Sequence, residues 1–175
     1  MKNIWILTML LLVQSFAFGQ SEEKSYYDNG QLRQLGLYDA NSQKTGEWKQ
    51  YHENGKLATI GKYENDKQTG EWKVYFPNGK LSEIGSWDNG KLRGKWESYY
   101  IDGKIYKTGI YEGNKINDWN VFYDNGKLME VGNYEKEMET GEWKKYHKTD
   151  NSYLSEITKT KTKRENGNIT MKVDN

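Results

Sequence analysis

The residues best suited to acid–base chemistry in this 175-residue chain are its two histidines, His52 and His147. Each directly follows a tyrosine. The chain repeats one sequence pattern about every 24 residues, and the equivalent position in three other copies holds Phe76, Tyr100 or Tyr123. A general base must be specifically placed, whereas a position shared by His, Phe and Tyr requires only a flat ring. We therefore expect neither histidine to be catalytic or to bind a metal.

A glutamate also recurs, as Glu47, Glu71 and Glu142, each directly before a tryptophan. One carboxylate per repeat would lie about two strand spacings, roughly 10 Å, from the next. That is outside the spacing of retaining glycosidases but near that of inverting ones, so distance alone leaves a catalytic pair open. Lys95 and Asp118 hold the same position in the other copies, which weakens this hypothesis. Solvated charges paired with lysines across strands explain these residues better.

The remaining motifs of enzymes and cofactor sites are absent from the sequence. Neither histidine has the context of a Ser-His-Asp triad, and the glycines follow hairpin spacing and not that of a phosphate-binding loop. The segment Glu64-Asn65-Asp66 lacks the order of acids and glycine of a calcium loop. We predict a protein that is not an enzyme and has no cofactor and no metal.

The N-terminus has the pattern of a secretory signal. Lys2 precedes a short apolar run over 4–13, and Ala17-Phe18-Gly19 offers small residues before a cut at Gln20. The run is shorter than the about 20 residues that span a bilayer, although an uncleaved anchor is the alternative. We predict a signal peptide over 1–19 and export to the periplasm, outer surface or exterior, with no transmembrane span after cleavage.

Charge and cysteine content constrain the exported chain. Without Lys2 the 26 basic residues become 25, which equals the 25 acidic ones. A neutral chain has no overall field to attract nucleic acid, so we predict no nucleic-acid partner. The chain has no cysteine, and packing and hydrogen bonds alone must hold an exported fold.

Tryptophans recur at nearly even steps of 24, 24, 23 and 24 residues. Such a period is typical of chains that repeat one supersecondary unit. We predict that the rings join neighbouring repeats and have no catalytic role. The five residues are Trp48, Trp72, Trp96, Trp119 and Trp143.

Each repeat reads as a β-hairpin. Gly-Glu-Trp-x-x-Tyr is followed by a turn with Asn-Gly or Asp-Gly, and then by Gly-Lys-Leu-x-x-Ile-Gly-x-Tyr. No stretch after residue 20 has a helical period. We predict an all-β fold, an elongated, single-layer, twisted antiparallel sheet of about a dozen strands. The repeats occupy 20–157, and 158–175 form an edge strand, a hairpin or a tail in which lysines protect the sheet edge.

Pro77, just before Asn78-Gly79, indicates the turn type. A two-residue turn would place Pro77 at a paired position, where it lacks an N–H. A three-residue loop, a type I turn whose glycine forms a G1 bulge, suits its fixed φ. This turn predicts pairs of Tyr51 with Leu57 and Trp48 with Ile60. The equivalent pairs in the later copies are Tyr75–Leu81, Trp72–Ile84, Tyr99–Ile105, Trp96–Thr108, Phe122–Leu128 and Trp119–Val131.

Four strand glycines recur after the Ile position of the repeat. Glycine inside a strand is typical of a site where another group lies close to the backbone. We predict that an aromatic ring of a neighbouring strand covers each of these residues, Gly61, Gly85, Gly109 and Gly132.

These motifs resemble the MORN-repeat variant family, in the form found in bacterial exported proteins and often labelled YwqK-type antitoxin-like. The resemblance rests on Gly46-Glu47-Trp48-x-x-Tyr51-x-x-Asn54-Gly55-Lys56-Leu57 and its copies at Gly70, Gly94 and Gly141, and it covers roughly 25–157. It implies repeated hairpins in a curved sheet, and roles in protein–protein or membrane-proximal association without one defined activity. The first copy lacks its Trp, and Asn117-Asp118 replaces Gly-Glu in the fourth.

The function that these features predict is an exported, non-enzymatic scaffold for protein–protein interaction, with immunity against a toxin as a special case. Its partner would contact a stripe of exposed rings, since Tyr and Trp are favoured at interfaces. The alternative is a cell-wall or glycan-binding module that uses the same stripe. The stripe consists of His52, Phe76, Tyr100, Tyr123 and His147.

Overall fold

The computed structural model of the chain describes residues 19–112, 115–135, 138–150 and 152–159. These residues form one antiparallel sheet of twelve strands, in which every strand pairs with its neighbours in chain order. The all-β prediction is confirmed. The strands are β1 Ser21–Tyr26, β2 Leu32–Tyr38, β3 Lys44–Tyr51, β4 Leu57–Glu64, β5 Lys67–Tyr75, β6 Leu81–Asp88, β7 Lys91–Tyr99, β8 Ile105–Glu112, β9 Lys115–Phe122, β10 Leu128–Glu135, β11 Met138–Tyr146 and β12 Tyr153–Lys159.

Two predicted segments lie wholly or largely outside the described residues. The signal peptide over 1–19 is described only at its last residue, and the C-terminal segment over 158–175 only at its first two. Those two residues end β12, the last strand of the sheet.

The sheet is a single layer with very little interior. Only three apolar side chains of the described residues are buried, those of Trp48, Val121 and Trp143. Eleven strand spacings of about 4.8 Å make the sheet roughly 50 Å wide. Stability must therefore come from contacts between successive strands, repeated along the sheet.

The hairpin turns have the predicted form. In the first complete copy, the N–H of His52 donates to the carbonyl of Lys56 at 2.8 Å, and the N–H of Gly55 donates to the carbonyl of His52 at 2.9 Å. Gly55 has a φ of +77°, the left-handed conformation that a type I turn with a G1 bulge requires. The same pair of bonds closes the turns at Phe76 and Tyr100.

The predicted register is right beside the turns and wrong at the tryptophans. Tyr51 pairs with Leu57, but Trp48 pairs with Gly61 and not with Ile60. The reason is a second bulge, because the next pair after Tyr51–Leu57 skips one residue of β4. The other copies repeat the shift by one residue, with the pairs Trp72–Gly85, Trp96–Gly109 and Trp119–Gly132.

A larger bulge lies on the other side of each tryptophan strand. Between the pairs Ile60–Lys73 and Lys62–Thr69, three residues of β5 lie opposite Gly61. The first of them, Gly70, has a φ of +66°. This bulge interrupts the pairing of the tryptophan with the preceding strand, and the indole ring lies on the glycine of that strand.

The shorter third step of the repeat, from Trp96 to Trp119, comes from this bulge. Between the pairs Thr108–Asn120 and Ile110–Asn117, only two residues of β9 lie opposite Gly109. Asp118 takes the left-handed conformation there, with a φ of +50°. One residue is therefore missing from the bulge, which explains both the step of 23 residues and the absence of Gly-Glu.

Tryptophan rings cover the strand glycines, as predicted. A Cβ atom added at Gly61 would lie 2.1 Å from Cδ2 of Trp72, and one at Gly132 would lie 2.3 Å from Cδ2 of Trp143. Both distances are far below van der Waals contact. Only glycine lets the indole lie on the backbone at these positions.

Tyrosines of the Gly-x-Tyr motif fill the gaps between the tryptophans. Tyr63 lies edge-on between Trp48 and Trp72, with ring centroids 5.8 and 5.1 Å apart. Tyr134 lies in the same way between Trp119 and Trp143, at 5.5 and 4.9 Å. Edge-to-face contacts of this kind are a favoured aromatic geometry. We call these rings the aromatic row, which consists of Tyr38, Trp48, Tyr63, Trp72, Trp96, Tyr111, Trp119, Tyr134 and Trp143.

We expect Gly61→Ala to lower the free energy of unfolding by about 1–3 kcal/mol, the usual cost of overpacking. Gly109→Ala is the matched control, because its Cβ would lie 3.0 Å from Trp119 Cε3 and 3.0 Å from Ile116 Cγ2. It should cost clearly less. Urea unfolding of the two variants checks this order, and equal losses would contradict the covering of Gly61 by Trp72.

Candidate interaction surfaces

The rings of the predicted stripe lie just outside the strand ends, where each hairpin turn begins. His52, Phe76, Tyr100 and Tyr123 are half-buried, and His147 is exposed. The structure therefore places the five positions in a line along the side of the sheet where these hairpin turns lie, one per hairpin.

Polar atoms of this stripe bind the next repeat. The hydroxyl of Tyr100 donates to the carbonyl of Phe122 at 2.7 Å, and that of Tyr123 donates to the carbonyl of Tyr146 at 2.8 Å. Nε2 of His52 lies 2.8 Å from the carbonyl of Tyr75. Because a carbonyl only accepts, this ring nitrogen carries the hydrogen. These hydrogen bonds join successive hairpins.

Tyr27 extends the stripe by one repeat, which the sequence analysis did not recognise. Its hydroxyl donates to the carbonyl of Tyr51 at 2.6 Å, the same contact that the later copies make. The signal was present in the sequence, because Tyr27 lies two residues before Asn29-Gly30, as His52 does before Asn54-Gly55.

Asparagine and lysine of the turn motif continue these contacts. Oδ1 of Asn54 accepts from the N–H of Lys56 at 3.1 Å within its own turn, and its Nδ2 donates to the carbonyl of Pro77 in the next turn at 2.8 Å. Nζ of Lys56 reaches the carbonyl of Asn78 at 2.9 Å. The Asn-Gly-Lys motif thus both shapes each turn and attaches it to the following one.

The recurring glutamates form ion pairs with lysines of their own strand, whereas pairs across strands were expected. Glu47 pairs with Lys49 at 2.7 Å and Glu71 with Lys73 at 2.7 Å; Glu142 pairs with Lys144 at 3.2 Å. Side chains two residues apart lie on the same face of a strand, which allows these contacts. The third copy has the reversed pair, Lys95 with Glu97 at 2.8 Å.

Two kinds of feature are absent from the described residues. No group of three or more His, Cys, Asp or Glu side chains there is placed to hold a metal ion. None of those residues belongs to a helix that is long and apolar enough to cross a membrane.

A second surface lies in the middle of the sheet, where two tryptophans of the aromatic row stack directly on each other. Trp96 and Trp119 stack in parallel, with ring centroids 6.0 Å apart and planes 7° apart. Beside them opens a groove of about 420 Å³, which the sequence analysis missed. Six of the residues that line it are Tyr63, Trp72, Glu83, Trp87, Trp96 and Tyr111.

Partial burial changes the acidity of tyrosines in the aromatic row. Burial is the main cause that raises the pKa of Tyr63, Tyr111 and Tyr134 above the ordinary 10.0. A nearby carboxylate adds to the effect in each case, that of Glu83 for Tyr111. These hydroxyls are neutral at physiological pH, and their rings act as uncharged packing groups.

Comparison with known proteins shows what four of the repeats are similar to. The model of the MORN repeat variant family matches residues 20–40, 44–65, 68–89 and 117–136. No curated protein matches the chain. A chain in a crystal structure of accessory secretory protein 1, 2 and 3 in Streptococcus pneumoniae is similar in part, with 13% identity and a TM-score of 0.32. The match covers 55% of this chain and 18% of that one.

We expect Tyr123→Phe to lower the free energy of unfolding by about 1 kcal/mol, because the variant loses one hydrogen bond between repeats and keeps the ring. Phe76→Tyr is the reciprocal test, since its new hydroxyl would face the carbonyl of Tyr99 in the next copy. That variant should gain up to about 1 kcal/mol. Thermal and urea unfolding measure both changes, and a neutral Tyr123→Phe would contradict the role of this bond.

We also expect the fold to lose stability above pH 10. The folded-state pKa of Tyr111 is raised, so the unfolded chain releases this proton first as the pH increases. The stability that the neutral Tyr111 hydroxyl contributes to the fold is complete below the ordinary pKa of 10.0. This stability falls as the pH rises towards the pKa of the folded state. Tyr111→Phe should therefore show a smaller decline between pH 9 and 11.5. Urea unfolding across this range measures the slope, and identical slopes would contradict a raised pKa.

Proposed function

We propose that this chain, four segments of which match the model of the MORN repeat variant family, is an exported, non-enzymatic scaffold that binds a protein partner along its sheet. The observation behind the proposal is the single-layer sheet, both faces of which are surface. Among the described residues, its Trp and Tyr rings are mostly half-buried, and only those of Trp48 and Trp143 are buried. Tyr and Trp are the side chains favoured at interfaces.

The arrangement of the polar groups supports a scaffold more than an enzyme. The side chains best suited to proton transfer, such as His52 and Tyr100, are hydrogen-bonded to main-chain carbonyls of the next repeat. Glu47 and Glu71 are held by lysines of their own strands. Catalysis requires a unique set of groups directed at one point, whereas these contacts recur from copy to copy.

Export is the setting that the sequence favours. Lys2, the apolar run over 4–13 and the small residues Ala17 and Gly19 form the signal pattern. A sheet stabilised by ring packing and hydrogen bonds between repeats also needs no disulfide. Neutralisation of a toxin is a special case of the proposed binding, in which the partner is the toxin.

The partner-binding role of the stripe can be tested with two double variants. The exported chain is used to capture proteins from the native cell envelope, and the partner is then purified for direct binding. We expect Tyr100→Ala with Tyr123→Ala to weaken binding at least tenfold, because two anchor rings are lost. Tyr100→Phe with Tyr123→Phe is the matched control, since it removes the same hydrogen bonds but keeps both rings, and should bind as the parent does.

Circular dichroism and thermal unfolding must first show that each double variant is folded at the assay temperature. Unchanged binding by the alanine variant would reject the stripe as the contact surface. Retention on isolated peptidoglycan in the absence of any protein partner would reject the scaffold proposal in favour of the glycan-binding alternative.

A further inference from the structure

One position on the face of the aromatic row varies strongly between repeats. It lies two residues before each strand glycine, and residues two apart in a strand share a face. The side chain there is therefore beside the covering tryptophan. The residues at this position are Gln34, Thr59, Glu83, Lys107 and Glu130.

Lysines of the chain already use the aromatic row as a cation site. Nζ of Lys44 lies 4.3 Å from the ring centroid of Trp48 and 5.1 Å from that of Tyr63. Nζ of Lys107 lies 5.6 Å from the ring of Trp119. An ammonium within about 6 Å of a ring face is attracted by the quadrupole of the ring. Two sections of the row thus hold a cation that the chain itself supplies.

At the groove the chain supplies an anion instead. Glu83 lines it together with Trp72, Trp87 and Trp96, and no lysine or arginine is among its lining residues. Glu83 is half-buried and makes no ion pair within the described part of the chain. By contrast, Glu130 at the equivalent position is within 3.7 Å of Lys145.

We propose that this groove binds a lysine side chain of the protein partner, with the ammonium between the indole rings and the carboxylate of Glu83. The rings supply cation–π attraction and cover the aliphatic stem, and Glu83 supplies the opposite charge. The arrangement reproduces between two chains the contact that Lys107 makes within one. The inference rests on the proposed scaffold function, but its test does not require an identified partner.

The probe is the capped tripeptide Gly-Lys-Gly, and its norleucine analogue keeps the four-carbon stem of lysine without the ammonium. With tryptophan indoles labelled by ¹⁵N, we expect the lysine peptide to shift the signals of Trp72, Trp87 and Trp96 saturably at millimolar concentration. The norleucine peptide should bind about tenfold more weakly, because it lacks the cation. Equal binding of the two peptides, or no shift at 50 mM peptide, would overturn the proposal.

Three variants locate the site. Glu83→Gln should weaken lysine binding several-fold, and Glu83→Lys should abolish it, because its own ammonium would occupy the groove as Lys107 does in the next repeat. Glu71→Gln is the matched control, since Glu71 is exposed and already paired with Lys73, and it should bind as the parent does. Equal loss in all three variants would show a general charge effect and overturn the assignment.

The failure of this inference and that of the scaffold proposal give different results. If the purified partner binds Glu83→Lys as well as the parent chain, the groove assignment is wrong and the scaffold stands. If the peptide binds but the envelope yields no protein partner, the cation site stands and the scaffold proposal fails. Indole shifts that change on dilution without any peptide would identify a second copy of this chain as the occupant and overturn the proposed partner.

Discussion

The contact of each tryptophan ring with a glycine of the preceding strand is the constraint on which the sheet depends. The indole of Trp72 lies where the Cβ of any other residue at Gly61 would be, so the two positions are chemically linked across strands. A single-layer sheet has no opposite layer to cover its apolar groups, and a lone hairpin is marginal in water. Placing a ring on the bare backbone of the neighbouring strand buries both, and every repeat does so with the same pair of residues.

Both bulges follow from this contact. In a regular ladder the tryptophan would lie opposite an aliphatic residue. The extra residue after the turn brings it opposite a glycine of the following strand, and the larger bulge at Gly70 directs its ring to the preceding one. The fourth copy keeps the contact with one residue fewer, since Asp118 takes the left-handed conformation in place of a glycine. The position of the ring is thus kept while the loop length around it varies.

The stripe along the turns and the face of the aromatic row offer different groups to a partner. Along the turns, the polar ends of Tyr100, Tyr123 and His52 are already bonded to the next repeat, so the stripe offers ring faces more than free polar groups to a partner. On the face of the aromatic row, the side chain beside each tryptophan changes from copy to copy. Variation at a fixed geometry is a means by which a regular scaffold acquires a specific site. At the groove this variation leaves Glu83 without an ion pair among the residues that the structure describes.

The sequence by itself determined the period, the hairpins, the turn type and the need for glycine at Gly61 and its equivalents, because each of these follows from local chain chemistry. Pro77 alone decides between two turn geometries. The register at the tryptophans, the interrepeat bonds of the stripe and the groove beside Trp96 were decided only by the tertiary structure. A bulge of one residue changes which side chains face each other across two strands. The energy of the bulge depends on contacts between strands, and a local sequence pattern does not contain these contacts. The parallel stacking of Trp96 on Trp119 likewise depends on how two neighbouring repeats fit together.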